Sequence, residues 1–308
     1  MERGLLDLAI ARTPGIGQAG RVYLCLKFNR ESDFTGLKAR DIERICAERR
    51  GKTGEKRLFD DETENWSVED VISQAEKDAE FMRRRGIRWL SIAEDAYPPL
   101  LREIYDPPAV LFYRGTLPPP EKPFIAMVGT RKAGAVAVRW AYDTARDLSL
   151  AGLVVVSGLA IGIDAMTHRG SVDAASGGTE AAPTLAVLGS SVDEVYPASN
   201  RALARRIIAG GGALLSEYPP GTRPAKWTFP ARNRIISGLC RCVIVVEAGE
   251  KSGALITADF ALEHNRSLCV AGGGESKPLG AGCGRLAEDG AKVVNNFVDI
   301  MAELGLEM

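Results

Sequence analysis

The sequence predicts an α/β protein: a Rossmann-like, doubly wound and mostly parallel sheet over residues 87–308, preceded by a small all-α domain over residues 1–86. Three observations predict it. The runs IAMVG, LVVVSG, LAVLG and VIVVEA are apolar throughout, as strands covered by helices on both faces must be. Strand candidates begin near Phe124, Leu153, Thr184, Ala213, Cys242, Leu268 and Lys292, close to the ~30-residue repeat of a βα unit. Between them, Val136–Leu150, Arg201–Ala209 and Ala254–Glu263 carry helical patterning, and regular strand–helix alternation defines a parallel sheet.

The first element is LLDLAIARTPGIGQAGRVYLCLKF, with apolar residues at helical spacing on both sides of Pro14-Gly15-Ile16-Gly17. It reads as helix, tight turn, helix, a helix-hairpin-helix or SAM-like pattern. Glycine at 15 and 17 lets N–H groups face outward at a helix start, which suits a DNA phosphate; few basic residues surround the turn, so a hairpin used for packing fits equally. Residues 49–65 turn polar and charged and read as a long loop or flexible insert. Ser67 then caps a charged helix running to about Arg85 and stopping at Gly86. Beyond it, RWLSI and AVLFYRG open the strand-rich region.

Bulk properties remove several classes of function. Among 308 residues, 45% are hydrophobic and 26% charged, a globular composition, and the net charge of −1 rules out an all-over basic surface. No apolar run reaches the ~18 residues of a membrane span, and the N-terminus lacks signal-peptide features, so a cytoplasmic protein without membrane insertion is expected. Six scattered cysteines read as reduced core thiols, and two histidines give no familiar zinc spacing, so no metal and no cofactor are expected.

In an open α/β sheet, ligands bind beyond the carboxyl ends of the strands. After IAMV comes Gly129-Thr130-Arg131-Lys132, and after LVVV comes Ser157-Gly158-Leu159-Ala160-Ile161-Gly162-Ile163-Asp164. Both place glycine at a sharp strand-to-helix turn, where exposed N–H groups favour phosphate. Neither is the G-x-G-x-x-G dinucleotide fingerprint, and no Walker-type G-x-x-x-x-G-K-[ST] occurs. Arg232, Asn233 and Arg234 fall near a helix start behind Pro230, where cations oppose the helix dipole unless an anion joins them. Lys251, Ser252, Gly253 and Thr257 supply another such turn. Several turns side by side suit an extended polyanion better than a mononucleotide. From Arg223 to Arg241 the chain holds Arg223, Lys226, Arg232, Arg234 and Arg241 without an acid, either a solvated face or part of that binding edge. Asp164 and His168, one turn apart, fit either an acid–base pair or a hydrogen bond that fixes the helix. Tyr196, Tyr218, Trp227 and Phe229 are candidates for base stacking or for core.

Taken in order, VGTRKAG, SGLAIGIDAMTHRG, LAVLGSSVDEVYPASNRALA, GGALLSEYPPGTRP, FPARNRIISGL and VIVVEAGEKSGALITADFALEHNR resemble the DNA-processing protein A (DprA/Smf) family, over about two-thirds of the chain. The resemblance implies a bacterial, non-enzymatic protein that binds incoming single-stranded DNA, protects it and loads the recombinase RecA during natural transformation, acting as a homodimer. It implies that Arg131 contacts DNA, that Ser157, Gly158 and Gly162 belong to a phosphate-facing loop, and that Arg232, Asn233 and Arg234 line the same groove beside Lys251, Ser252, Gly253 and Thr257. Some relatives carry a lysine where Ala198 stands, the family's Val-Pro-Gly is here Val270-Ala271-Gly272, and its later glycine turn is Gly282-Cys283-Gly284-Arg285-Leu286. The winged helix that ends many relatives is not expected before Met308. The rival expectation is a nucleotide-binding or nucleotide-hydrolysing Rossmann-like enzyme using Asp164, His168 and Glu247.

Overall fold

The computed structural model describes residues 3–48, 66–176, 181–273 and 278–306. The insert expected over 49–65 lies outside the described residues. The chain divides into two compact units, residues 1–97 with 105–112, and residues 98–104 with 113–308.

The first unit holds helices α1 (Arg3–Arg12), α2 (Gln18–Lys27), α3 (Ala39–Glu48) and α4 (Val68–Arg84), strand β1 (Ile87–Ser91) and the start of β2 (Val110–Gly115). Between α1 and α2, Gly15 takes a left-handed φ of 68°, a conformation open to glycine at no steric cost. Leu6, Leu8, Ile10, Leu24, Phe34, Ile42 and Met82 are buried and form this unit's apolar interior. At the start of α4, Ser67 accepts from the Asp70 backbone N–H while the Asp70 carboxylate accepts from that of Ser67. This reciprocal capping satisfies two N–H groups that an α-helix leaves open. The indole of Trp89 donates to the Gly4 carbonyl at 2.8 Å and ties β1 to α1.

The second unit begins with the short helix α5 (Pro99–Arg102) and continues as β3 (Phe124–Val128), α6 (Ala135–Leu150), β4 (Val154–Ser157), α7 (Ile163–Ser176), β5 (Leu185–Val187), α8 (Arg201–Ala209), β6 (Ala213–Ser216), α9 (Thr228–Leu239), β7 (Cys242–Val245), α10 (Gly253–Glu263), β8 (Ser267–Ala271), α11 (Ala281–Glu288), β9 (Lys292–Val294) and α12 (Phe297–Glu303). Its strands lie in the order β6-β5-β4-β3-β7-β8-β9, and each described pairing is parallel. Every residue of β3 to β7 is buried, which is why these strands read as unbroken apolar runs rather than alternating ones. Ile125, Met127, Val155, Ile244 and Cys269 of the sheet pack against Ala137, Ala141, Ala145 and Leu148 of α6. Helix α7 lies close along α6 because Gly170 has no side chain: a Cβ there would strike the carbonyl of Tyr142. All six cysteines are buried, and none is in a disulfide.

This order makes the fold a doubly wound Rossmann-like sheet. The chain leaves β3 toward β4, β5 and β6, then returns to the other side of β3 with β7. The reversal separates the loops after β3 and β7 and opens the sheet edge there, the usual position of a ligand crevice in such sheets. Among the described residues no helix is long and apolar enough to cross a membrane.

Candidate nucleic-acid interface

A cavity of about 650 Å³ opens at this reversal. Gly129, Thr130, Arg131 and Lys132 line it after β3; Ala160 and Asp164 after β4; Lys226, Phe229, Arg232, Asn233 and Ile236 around the start of α9; and Ser252, Gly253, Ile256 and Thr257 around the start of α10, with Tyr196 at one side. Nine of the fourteen residues expected to bind DNA therefore come together: Gly129, Thr130, Arg131, Lys132, Arg232, Asn233, Ser252, Gly253 and Thr257. Ser157, Gly158, Gly162, Arg234 and Lys251 are not among its lining residues.

The loop after β3 is held from below. Thr130 N–H donates to the Glu247 carbonyl at 2.8 Å, and the Thr130 carbonyl accepts from Ile163 N–H at 3.2 Å. Gly129 presses on Ile163, where an added Cβ would sit 2.6 Å from the side chain. The Glu247 carboxylate accepts from Gly134 N–H at 2.8 Å, so the start of α6 already has an anion of the protein's own. What the loop presents outward is side chain: Arg131 and Lys132 are exposed, and the Arg131 guanidinium sits 5.9 Å from the ring centre of Phe229, within cation–π range.

The loop after β4 is likewise closed on itself. Asp164 accepts from Gly158 N–H at 3.2 Å and Ala160 N–H at 3.4 Å, the amides the sequence offered to a phosphate. The Ser157 hydroxyl turns inward and donates to the Met127 carbonyl at 2.6 Å. Asn200 donates to the carbonyls of Leu159 and Ala160 at 2.9 and 3.1 Å, which steadies Leu159 in a left-handed φ of 56°. Gly162, at φ 81°, lies so close to Thr130 and Arg131 that a side chain would strike their backbone. Ser157, Gly158 and Gly162 thus shape the floor beneath the cations.

Arg232 and Arg234 are both buried, so the conflict between cations and the α9 dipole is settled by the protein itself. The Arg232 guanidinium donates to the carbonyls of Gly158, at 2.8 Å, and of Val187, and Asp164 is its compensating charge. Burial pulls the Arg232 guanidinium down to about 10, against the opposing pull of Asp164. For Asp164, burial is the largest influence and pushes its carboxyl up, with Arg232 and the loop amides pulling the other way. Arg234 forms a two-pronged ion pair with Glu217, at 2.9 and 2.6 Å, away from the cavity. Asn233 bridges the neighbouring turns, accepting from Arg232 Nε at 3.2 Å and donating to the Gly253 carbonyl at 3.3 Å. Ser252 caps α10, Thr257 is buried in the wall, and Lys251 is exposed at the same turn.

His168 turns to Thr184 rather than to Asp164. Thr184 Oγ1 donates to the Val155 carbonyl at 2.7 Å and so accepts from His168 Nδ1, 2.8 Å away. Burial first, then Arg232, drops the imidazole to about 3, leaving it neutral and tied between α7 and the sheet. Of the two meanings open in the sequence, the fixing hydrogen bond is the one the geometry carries, with Thr184 as its partner.

Two side chains at or beneath the cavity were not singled out individually in the sequence: Lys226 on its rim and the buried Asn200 under the β4 loop. Lys226 belonged only to a basic run, and its exposed place on the cavity depends on where the β6–α9 loop passes. Asn200 gave no signal beyond a small polar residue after Tyr-Pro. Among the described lining residues Asp164 is the one acid, and it is buried. The mouth is thus edged by Arg131, Lys132 and Lys226.

Fold and site define an α/β protein with a cation-rimmed crevice at the switch point of a doubly wound sheet. The chain belongs to the DNA recombination-mediator protein A family, whose model matches residues 88–305. It is 43% identical over 216 residues to the DNA processing protein DprA of Streptococcus pneumoniae, covering 69% of this chain and 73% of that one. It is 42% identical over 223 residues to DprA of Bacillus subtilis, covering 72% and 73%. The crystal structure of S. pneumoniae DprA superposes with a TM-score of 0.72 at 31% identity, covering 100% of this chain and 99% of that one. A DNA processing protein A from Helicobacter pylori, described for its single-stranded DNA binding mode, superposes with a TM-score of 0.59 at 28% identity, covering 71% and 95%.

Proposed function

We propose that this protein is a single-stranded-DNA-binding recombination mediator that protects incoming DNA and loads RecA onto it, acting in the cytoplasm as a homodimer and without catalysing a reaction. The observation that carries the reading is the cavity at the sheet reversal, edged by the exposed cations Arg131, Lys132 and Lys226 and free of exposed acid among its described lining residues. Phosphate contacts on a single strand require such cations, since neutralising phosphate and releasing its counterions drives binding. Gly129 and Thr130 present Arg131 and Lys132; Ser157, Gly158, Gly162 and Arg232 hold the floor; Asn233, Ser252, Gly253 and Thr257 supply polar wall; Lys251 extends the cationic edge. Arg234 belongs to the same helix start and acts through Glu217. The relative from H. pylori, described for single-stranded DNA binding, supports the same ligand.

The non-enzymatic reading is supported by the fate of the titratable groups. Asp164, His168 and Glu247 are spent on Gly158, Thr184 and Gly134, so the nucleotide-hydrolase alternative lacks a free acid–base pair. We also place a helical domain over 1–86 and the Rossmann-like domain over 87–308.

The test is fluorescence anisotropy with a labelled single strand of about 20 nucleotides, longer than typical site sizes, against a duplex of equal length at two salt concentrations. Preferential, salt-sensitive binding of the single strand is expected. No binding to either, or release of base from nucleoside monophosphates, overturns the proposal.

A further inference from the structure

Trp227 is two-thirds exposed, at 66%. An indole left in water forfeits apolar burial that a partner would supply. Its position is not loose: it is the N-cap residue of α9, and its ring meets Tyr218 edge-on with centres 5.9 Å apart and planes at 80°. Tyr218 is itself buried, so the indole stands on a rigid base. It sits between Lys226 and Phe229, both of which line the cavity, while Trp227 does not. Arg223, earlier in the same loop, is also exposed.

We infer that Lys226 and Trp227 form a second contact step, by which a single strand leaving the cavity lays a phosphate on Lys226 and stacks a nucleobase on the Trp227 indole. This rests on the reading of the cavity as a single-strand site. Three features favour an unpaired nucleic acid over a protein partner: the indole adjoins the cation-rimmed mouth, the exposed cations Arg223 and Lys226 precede it in the same loop, and its edge-braced ring offers the flat surface that unpaired bases use. Base stacking is sequence-tolerant because every base has a π-face. The step therefore adds affinity and length dependence without sequence preference.

The experiment compares wild type, Trp227→Ala, Trp227→Phe and Lys226→Ala. The probes are oligothymidylates of about 4 and about 20 nucleotides, and an abasic deoxyribose-phosphate chain of the longer length. Trp227→Ala should weaken the long strand about tenfold, leave the abasic chain unchanged and keep the salt slope, with Trp227→Phe restoring most of the affinity. Lys226→Ala should instead lower the salt slope by about 0.7, the share of one phosphate on a single strand. The long strand should also quench tryptophan emission in wild type and not in Trp227→Phe. Wild-type binding that Trp227→Ala leaves untouched at every length overturns this inference and leaves the cavity reading standing; if that variant also loses self-association, the indole belongs to a protein contact. Failure of wild type to bind any strand overturns both.

Discussion

Gly158 and Arg232 occupy one volume: a Cβ on Gly158 would lie 2.6 Å from the Arg232 guanidinium carbon, and the Gly158 carbonyl accepts from that same guanidinium at 2.8 Å. The glycine is there to admit the arginine. Gly158→Ala should therefore push the guanidinium off the carbonyls of Gly158 and Val187, an overpacking cost of about 1–3 kcal/mol. Thermal unfolding should fall by several degrees, at roughly 2–4 °C per kcal/mol for a unit of this size. An alanine variant that melts with wild type would contradict this view of the pair.

Arg131 and Arg234 have opposite assignments although both are arginines near the same loops. Arg131 is exposed at the cavity, whereas Arg234 and Glu217 are each about nine-tenths covered, with side-chain exposures of 10% and 12%. Arg131→Ala should leave the melting temperature in place and lower the salt slope of strand binding by about 0.7. Arg234→Ala strands a covered carboxylate and should cost about 3–5 kcal/mol of stability with the slope retained. Paired salt titrations and melts read both effects; a reduced slope in Arg234→Ala would return that residue to the DNA contact.

This contrast marks the limit of what could be read from the chain. The strands from Phe124 to Val294 were legible because strands covered on both faces leave apolar runs, and their glycine-marked ends located the loops. Residue type also marked Arg232 and Arg234 of α9 as cations in need of partners. What answers them arrives by tertiary contact: Arg232 meets a carbonyl 74 residues away, and Arg234 meets an acid 17 residues away in the loop after β6. The start of α6 is closed by a carboxylate from 113 residues downstream. A linear pattern shows that an amide or a guanidinium needs a partner, and cannot tell a phosphate from a carboxylate of the same chain.

His168 makes stability sensitive to acid. Its folded pKa is depressed, from an ordinary 6.5 to about 3, by burial and by Arg232, so the unfolded chain binds the proton first and stability falls as pH drops through that window. Asp164, pushed up by burial, acts in the opposite direction: it loses stability as pH rises from the ordinary carboxylate range through its elevated value. With each unit worth about 1.4 kcal/mol, the imidazole accounts for several kcal/mol between pH 6.5 and 3. His168→Gln, which retains a donor for Thr184, should flatten the melting temperature between pH 7 and 4.5. If the variant keeps the wild-type acid slope, the imidazole is not the group that titrates.

Glu247 sets an upper bound on how strongly the cationic rim holds a phosphate chain. Its carboxylate caps α6 through Gly134 N–H while its carbonyl holds Thr130, so a negative charge stands behind the loop that carries Arg131 and Lys132. A charge several ångströms from a bound phosphate, in a solvent-rich setting, costs about 0.5 kcal/mol. Glu247→Gln keeps an acceptor for Gly134, removes the charge, and should tighten binding of a single strand about twofold with fold and melting temperature retained. Glu247→Ala removes the cap as well, costing about 1 kcal/mol of stability, and frees the loop that the cations depend on, so binding should weaken instead. Opposite signs from these two substitutions would separate the charge of Glu247 from its hydrogen bond; equal weakening by both would mean that the carboxylate serves the loop alone.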